Sequence, residues 1–343
     1  MKRFLSVISL FCVLTFLVPL IGIWAANLGD NPSSTVKTPA DSSTQDPFAQ
    51  STPEPPPTFD GQTLPILNSD TNKVEQVPLE EFVLGSVASE MPITWPDEAL
   101  KAQAIASRSY ALARVALNNN SDPNLQGAAF SASPKQRLGF VRTEQMKEMW
   151  GKDFEQNYTR LKALVDSTAG TALQFNGAVA LACYHAISAG KTESSENVWS
   201  SALPYLSGVD SPLDMTSPDY TVTTQMSSQD VLQTLQKKFP DLQLAEDPAS
   251  WFGQPSFTPA GYIQTIPVGT ATLKGTEVRE ALGLRSACFT ISYADGTFTF
   301  TTKGYGHGVG MSQYGAYTLA LTGQSHQAIL AAYYPQTVLT TAK

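Results

Sequence analysis

The chain has few cysteines, few histidines and no excess of positive charge. Its 343 residues include three cysteines and three histidines. The 22 lysines and arginines are outnumbered by 30 aspartates and glutamates, so the formal net charge is -8. This acidity argues against nucleic acid as a partner. No His-Glu-x-x-His or Cys-x-x-Cys pattern indicates a metal site, and no metal or cofactor is expected.

The scarcity of cysteine also excludes a disulfide framework. Cys12 lies in the apolar N-terminus, which leaves Cys183 and Cys288 as the only cysteines beyond it. These two could pair, but each sits in an apolar stretch, so two buried free thiols satisfy the sequence equally well.

The N-terminus begins Met1-Lys2-Arg3 and then runs without charge to Trp24. At about 1.5 Å per helical residue this run approaches the roughly 30 Å of a bilayer core. It predicts a cytoplasmic tip and single-pass membrane anchor over residues 1–26, with the rest of the chain outside the cytoplasm. A cleaved signal peptide is the alternative, although the residues after Trp24 form a weak cleavage site.

Residues 27–60 form a segment with little capacity to fold. They contain seven prolines among serine, threonine and aspartate, namely Pro32, Pro39, Pro47, Pro53, Pro55, Pro56 and Pro57. Such a composition predicts a disordered, semi-extended tether. Residues 61–343 then remain for a folded domain, which could be one large unit or two closely joined lobes around a cleft.

Helical and strand patterns both occur in this folded part, and they predict an α+β domain. Helices are expected over residues 79–89, 95–117, 146–169, 311–321 and 327–334, the third with possible interruptions. Strands are expected over 74–78, 172–183 and 260–302, and a strand followed by a helix over 220–240. Turns are predicted at Asn176-Gly177, Lys274-Gly275 and Asp295-Gly296.

The most informative segment is residues 304–316, which read GYGHGVGMSQYGA. Glycine at every second position around His307 allows unusual backbone angles and close approach of a ligand. Three further segments have a similarly distinctive composition. Residues 80–92 read EEFVLGSVASEMP, residues 98–112 read EALKAQAIASRSYAL, and residues 184–192 read YHAISAGKT with ENVW at 196–199.

In order and spacing these segments resemble the stage II sporulation protein D family of membrane-anchored, peptidoglycan-cleaving lytic transglycosylases. The resemblance implies cleavage of the MurNAc-GlcNAc bond with formation of 1,6-anhydro-MurNAc ends, during septal wall remodelling and engulfment in sporulation. It also implies peptidoglycan glycan strands stripped of stem peptides as substrate, with a cell-wall amidase or endopeptidase and other engulfment membrane proteins as partners. A relative of this family is the amidase-enhancer group, so a non-catalytic glycan-binding enhancer of an amidase is the alternative function.

Glu90 is the predicted catalytic acid. It ends the first predicted helix, where unpaired carbonyls disfavour a carboxylate and raise its pKa, and it matches the family's catalytic glutamate. The nearest other acids, Asp97 and Glu98, fall in the first turn of the next helix, where they are expected to stabilise the helix dipole. A triad of Ser188, His185 and Asp210 lacks a nucleophile elbow and is disfavoured.

The resemblance further implies a set of residues that line the substrate cleft. Ser188, Lys191 and Thr192 would offer donors to the sugar, and Gln313 and Tyr314 would suit acetamido recognition and sugar stacking. The predicted substrate-binding residues are Gln103, Arg108, Tyr184, His185, Ser188, Lys191, Thr192, His307, Gln313 and Tyr314.

One segment departs from the family. Relatives carry cysteine and histidine residues able to bind zinc in a loop that here reads GAAFSASPKQRLGF over residues 127–140. The ligand positions are occupied by Ser131, Gln136 and Arg137, which are not normal zinc ligands. We therefore predict that this protein works without zinc.

Overall fold

The computed structural model describes residues 62–117, 122–133, 139–199 and 201–341. The predicted anchor (1–26) and tether (27–60) lie outside these residues. Helices within the described chain are α1 Leu79–Glu90, α2 Asp97–Leu117, α3 Thr143–Trp150, α4 Phe154–Asp166, α5 Ser195–Val198, α6 Ser228–Lys238, α7 Gly275–Leu282, α8 Gln313–Leu321 and α9 His326–Tyr333. Over the same ranges, no helix combines the length and the apolar character that a membrane crossing requires.

The strands are short and form several small sheets. Their bounds are β1 Thr63–Asn68, β2 Lys73–Pro78, β3 Phe130–Ala132, β4 Thr171–Phe175, β5 Ala178–Val179, β6 Tyr184–His185, β7 Thr221–Ser227, β8 Ser256–Phe257, β9 Ile263–Val268, β10 Ala271–Lys274, β11 Phe289–Ala294, β12 Thr297–Lys303, β13 Met311–Ser312 and β14 Val338–Thr341. The sheet orders are β2-β1-β3, β14-β4-β5, β13-β6, β10-β9-β8 and β11-β12-β7. The predicted α+β class is confirmed.

The buried apolar side chains form two separate clusters. One runs from Leu64 to Leu206 and resumes from Val309 to Tyr334, and we call this part the main lobe. The other runs from Val231 to Phe300 and defines the inserted lobe. The chain therefore leaves the main lobe, builds a second core and returns at the glycine-rich segment.

Helix α2 is the centre of the main lobe, because it packs against α1, α4, α8, α9 and β4. Its alanines make this possible: Ala99, Ala102, Ala104, Ala106 and Ala111 are all fully buried. Small side chains let neighbouring helices approach the axis closely on every side. As a result α1 and α8, which are far apart in sequence, both pack against α2.

Two of the three predicted turns are confirmed and one is wrong. Asn176 and Gly177 have φ of 50° and 80°, and Asp295 and Gly296 have φ of 50° and 78°, as a tight hairpin requires. The turn at Lys274-Gly275 is wrong, because Gly275 begins α7 instead. A side chain at Gly275 would meet the Ile263 carbonyl oxygen at 2.2 Å, so close packing explains this glycine.

Candidate active site

Glu90 is the last residue of α1, and its carboxylate is held from two sides. The backbone N–H of Gly139 donates to Oε1 at 2.8 Å, and the Gln313 amide nitrogen donates to Oε2 at 2.9 Å. The residue as a whole is half-buried. Three distant parts of the chain thus converge on one carboxyl group.

The pKa of Glu90 is raised from its ordinary value. Burial is the largest cause and raises the pKa, while the hydrogen bonds from Gln313 and Gly139 act in the opposite direction. The predicted direction is therefore confirmed, but loss of hydration rather than the helix end is the main cause. A carboxyl group in this environment can hold a proton closer to neutral pH and donate it to a substrate.

Gly139 is a site residue that the sequence did not indicate. A side chain there would meet Ser89 Oγ at 2.4 Å and Glu90 Oε1 at 2.9 Å. Only glycine lets the backbone N–H come this close to the carboxylate. The loop is fixed against α1, where Val141 N–H donates to the Gly85 carbonyl at 3.3 Å.

Gln103, Gln313 and Tyr184, all predicted site residues, are brought together behind Glu90. Gln313 Nε2 lies 3.4 Å from Gln103 Oε1, and Gln103 Nε2 donates to Ser107 Oγ at 3.0 Å. Ser107 Oγ lies 3.4 Å from the Tyr184 hydroxyl. Parallel pairing of β6 with β13 places Tyr184 beside Met311, two residues before Gln313.

A short row of aromatic rings begins next to Gln313. Tyr314, the predicted stacking residue, lies 5.4 Å from Tyr317 between ring centroids, and Tyr317 lies 4.8 Å from Trp95. All three side chains are partly exposed. Tyr314 directly follows Gln313, whose amide donates to Glu90, so the row begins beside a residue that contacts the carboxyl group. Sequence reasoning missed Trp95 and Tyr317, which lie outside the glycine-rich motif.

His185 and His307 form a second aromatic group with Trp199. The His185 and His307 ring centroids are 5.7 Å apart, and those of His307 and Trp199 are 5.1 Å apart. His185 Nδ1 lies 3.1 Å from the Val309 carbonyl oxygen, so this nitrogen carries the hydrogen. Burial lowers the pKa of His185 to about 4, which keeps the ring neutral near neutral pH. The partly exposed His307 accepts from the Val309 N–H through Nδ1 at 3.0 Å.

The predicted sugar donors on the turn after His185 are mostly engaged with the protein itself. Ser188 Oγ accepts from the Gly190 N–H at 3.2 Å, and Thr192 Oγ1 accepts from the Val209 N–H at 2.8 Å. Both side chains are fully buried. Lys191 is 40% exposed and lies 3.7 Å from the Asp210 carboxylate, which makes it the accessible member of this group.

The disfavoured triad is not assembled. Ser188 N–H donates to the buried Asp214 at 2.9 Å, while Asp210 is 84% exposed and pairs with Lys191. His185 bonds to the Val309 carbonyl rather than to either partner. Ser188 therefore has neither His185 nor Asp210 as a partner, which agrees with the expectation that no triad forms.

Arg108 does not join the candidate site. It is fully buried and forms a two-point ion pair with Glu80, with Nε–Oε1 and Nη2–Oε2 distances of 2.8 and 2.6 Å. Its remaining donor Nη1 reaches the Thr171 carbonyl at 3.0 Å. The planar guanidinium fits this arrangement, so Arg108 ties α2 to α1 and β4 instead of lining the cleft.

The two acids that follow Glu90 in sequence, Asp97 and Glu98, form ion pairs with basic side chains. Asp97 accepts from Arg160 at 2.5 Å. Burial raises the pKa of Glu98, but hydrogen bonds from Lys101 and His326 outweigh it and lower that pKa to about 2. Glu98 therefore stays ionised and cannot act as an acid near neutral pH.

The side chains of the described residues also bear on metal binding. Within the ranges that the structure describes, no group of three histidine, cysteine or acidic side chains could hold a metal ion. Ser131 lies in β3 and donates to the Leu67 carbonyl at 3.1 Å, whereas Gln136 and Arg137 lie outside the described residues. Cys183 and Cys288 are both free thiols, so the disulfide alternative is excluded.

Comparison with known proteins identifies the family of this chain. The family profile described as stage II sporulation protein matches residues 67–175, which include Glu90 and Gly139. Stage II sporulation protein D of Bacillus amyloliquefaciens is 36% identical over 342 residues, covering 97% of this chain and 94% of that protein. Its counterpart from Bacillus subtilis (strain 168) is 34% identical over 345 residues, covering 100% and 97%.

The chain belongs to the stage II sporulation protein D family, a family of sporulation proteins. A more distant relative is the amidase enhancer of Bacillus subtilis (strain 168), which is 27% identical over 304 residues. That match covers 75% of this chain but 40% of the enhancer. The similarity of this chain thus also extends to a protein named for enhancing an amidase.

Proposed function

We propose that this protein is a peptidoglycan lytic transglycosylase in which Glu90 acts first as acid and then as base. The observation that supports this best is a carboxyl group whose pKa is raised by burial while both its oxygens accept hydrogen bonds. Ordinary glycoside hydrolases use two carboxyl groups. Here the nearest acids in sequence, Asp97 and Glu98, are committed to basic partners.

The reaction needs no water. Protonated Glu90 gives its proton to the glycosidic oxygen as the bond from that oxygen to C1 of N-acetylmuramic acid breaks. The C6 hydroxyl of the same sugar then bonds to C1 and releases its proton to the Glu90 carboxylate. The products are a 1,6-anhydro end and a free hydroxyl on the departing sugar, and the enzyme regains its initial protonation state.

Partially exposed aromatic rings suit sugar binding next to this carboxyl group, because their faces pack against the C–H faces of a pyranose. The Trp95–Tyr317–Tyr314 row would hold the glycan on one side of Glu90. Lys191 and His307 are the remaining predicted contacts with exposed surface. Gln103, Tyr184, His185, Ser188 and Thr192 then support the cleft from behind.

We expect Trp95→Ala to weaken binding of a glycan oligomer about tenfold, since loss of an aromatic contact costs about 1.4 kcal/mol. The measurement is calorimetric titration in a Glu90→Gln background, so that the ligand is not consumed. Trp150→Ala is the matched control, because Trp150 is also partly exposed and packs on an aromatic ring, Phe154, at 6.3 Å. Equal weakening of binding by both substitutions would show that the aromatic row does not line the cleft.

The proposed activity is tested by incubating the purified protein with glycan strands stripped of stem peptides and analysing the ends by mass spectrometry. The account predicts 1,6-anhydro-MurNAc ends. The alternative is a non-catalytic glycan-binding protein that enhances a cell-wall amidase, which the distant relative's name favours. That function predicts unchanged strands, together with faster amidase activity when the two proteins are mixed.

The family suggests where and with what the protein works. We propose that it acts at the outer face of the cell membrane during engulfment, on strands that a partner amidase or endopeptidase has stripped, beside other engulfment membrane proteins. The uncharged run from Phe4 to Trp24 supports anchoring. Seven prolines in residues 27–60 support a tether.

We expect the anchor to remain attached in cells, because the apolar run exceeds a typical signal-peptide core. Membrane fractionation followed by N-terminal sequencing checks this. The full-length chain should be found in the membrane fraction. A mature chain that begins near Ala26 would identify the segment as a cleaved signal peptide.

A further inference from the structure

Glu90 is joined to a buried row of polar side chains that leads away from the surface. Gln313 Nε2 lies 2.9 Å from Glu90 Oε2 and 3.4 Å from Gln103 Oε1, and Gln103 Nε2 donates to Ser107 Oγ at 3.0 Å. Gln103 and Ser107 are fully buried. Buried amides are costly unless every polar atom is paired, so two of them beside one carboxyl group call for a functional reason.

Each member of this row can act as donor or acceptor. A carboxamide presents its oxygen or its NH₂ after rotation of the terminal torsion, and a hydroxyl can donate or accept. The row ends in three hydroxyls: Ser107 Oγ lies 3.0 Å from Ser86 Oγ and 3.4 Å from the Tyr184 hydroxyl. The whole row can therefore reverse its direction and still leave every member paired.

The opposite side of the carboxyl group cannot reverse. Gly139 offers a backbone N–H to Oε1, and an N–H only donates. A proton on Glu90 therefore belongs on Oε2, the oxygen that faces Gln313. Oε1 is fixed as an acceptor, whereas Oε2 faces the Gln313 carboxamide, which can either donate or accept.

We propose that Gln103 and Gln313 form a reversible amide pair that turns over with the protonation state of Glu90. With Glu90 ionised, the Gln313 NH₂ donates to Oε2, and Gln103 holds it in that orientation. With Glu90 protonated, the Gln313 oxygen accepts from the Oε2 hydroxyl, Gln103 NH₂ donates to Gln313, and Ser107 donates to Gln103. The proton moves only between Oε2 and the glycan, while the amides only rotate.

This inference rests on the proposed function, because serving as acid and then as base requires Glu90 to be stable in both states. Gln103 and Gln313 are positioning residues in this scheme. The other ionisable groups around the row do not compete for the proton. Burial and the nearby Glu90 raise the pKa of Tyr184, His185 is held neutral with a pKa of about 4, and Arg108 is committed to Glu80.

The test compares Gln103→Met with Gln174→Met in the full-length protein in detergent. Gln103 makes no hydrogen bond to Glu90, and Gln174 is a buried glutamine in β4 whose Nε2 has no partner among the described residues. Gln103→Met removes a partner of Gln313 in both states, but the two losses differ. The ionised state is left with an unpaired N–H on Gln313, whereas in the protonated state the Gln313 oxygen still accepts from Glu90 and lacks only a second donor, so the protonated form is favoured. The measured quantity is the cleavage rate as a function of pH. The rate falls as pH rises past the pKa of Glu90, and we expect this descending limb of the profile to move up by about one pH unit in Gln103→Met.

The same limb should move at least as far in Gln313→Met and stay in place in Gln174→Met. If Gln103→Met does not fold, Ser107→Ala replaces it. This change leaves the Gln103 NH₂ without an acceptor in the ionised state and the Gln103 oxygen without a donor in the protonated state. A buried N–H tolerates the loss of its partner less well than a carbonyl oxygen does, so the limb should shift in the same direction. A limb that moves equally in Gln103→Met and Gln174→Met, or in neither, overturns the amide pair.

A second readout does not depend on cleavage. Because the pKa of Glu90 is raised above 4.5 in the folded state, its stabilisation relative to Glu90→Gln is complete below about pH 4.5 and is lost as pH rises through the folded pKa. Thermal unfolding across pH should place this loss at higher pH in the Gln103→Met background. If this shift is present but no anhydro ends form, the transglycosylase activity is refuted and the amide pair is retained. If anhydro ends form without this shift, the amide pair is refuted and the transglycosylase activity is retained.

Discussion

Glu90→Gln should reduce strand cleavage by at least a hundredfold while the fold is retained. Glutamine keeps the shape of the side chain but has no proton to transfer, and general acid–base groups contribute about 10²- to 10⁴-fold to rate. Near and above neutral pH the variant should be at least as stable as the wild type. The reason is that the ionised form of Glu90 is disfavoured by burial, so removing its charge removes a cost.

The matched control for this substitution is Asp97→Asn, which changes another carboxylate seven residues away. Asp97 is 54% exposed and pairs with Arg160, so its loss should leave cleavage close to the wild-type rate. Cleavage rates and thermal unfolding are measured for both variants. Activity of Glu90→Gln within a few-fold of wild type, with unchanged unfolding, would show that Glu90 is not the catalytic acid.

Gly139→Ala should be nearly as damaging as the loss of the carboxyl group. Its added carbon would lie 2.4 Å from Ser89 Oγ and 2.9 Å from Glu90 Oε1, so the loop or the carboxylate has to move. Either movement breaks the 2.8 Å hydrogen bond to Oε1. Displacement of a reacting group by about 1 Å can cost 10²-fold in rate, and we expect a loss of that order.

Gly253→Ala separates this effect from simple crowding. Gly253 lies in the inserted lobe, and a side chain there would meet Pro267 Cβ at 2.9 Å. It should lower the melting temperature without changing the cleavage rate per folded molecule. If Gly139→Ala and Gly253→Ala lose activity only in proportion to their loss of folded protein, the Gly139 N–H does not position Glu90.

The sequence predicted the central residue of the site better than its surroundings. Glu90 could be found because it ends a helix that Pro92 limits and because it matches a family motif. Gln313 lay in the glycine-rich segment, whose unusual composition marked it out. These signals come from neighbouring residues in the sequence, so they can be recognised without knowledge of the fold.

Residues that act through packing left no such signal. Gly139 looks like any loop glycine until the fold brings its N–H to Glu90. Trp95 and Tyr317 meet only because α8 packs against α2. Arg108 matched a family motif, yet its environment is a buried ion pair with Glu80. Pattern alone could not distinguish an arginine that binds substrate from one that joins two helices.

The same limit explains the error at Gly275. A lysine–glycine pair between two apolar segments is typical of a turn, but this glycine instead allows the start of α7 to pack against the Ile263 backbone. Composition alone also could not decide whether the folded part is one unit or two lobes. Both cores contain similar apolar residues, and only contacts distant in sequence separate them.

The most direct test of the central claim is cleavage of stripped glycan strands in water enriched in heavy oxygen. A transglycosylase that uses the C6 hydroxyl of its own substrate consumes no water. We therefore predict new N-acetylmuramic acid ends that are one water lighter than reducing ends and contain no heavy oxygen. New reducing ends labelled with heavy oxygen would contradict the account, because they would show that water, and not the C6 hydroxyl, attacks the glycosidic carbon.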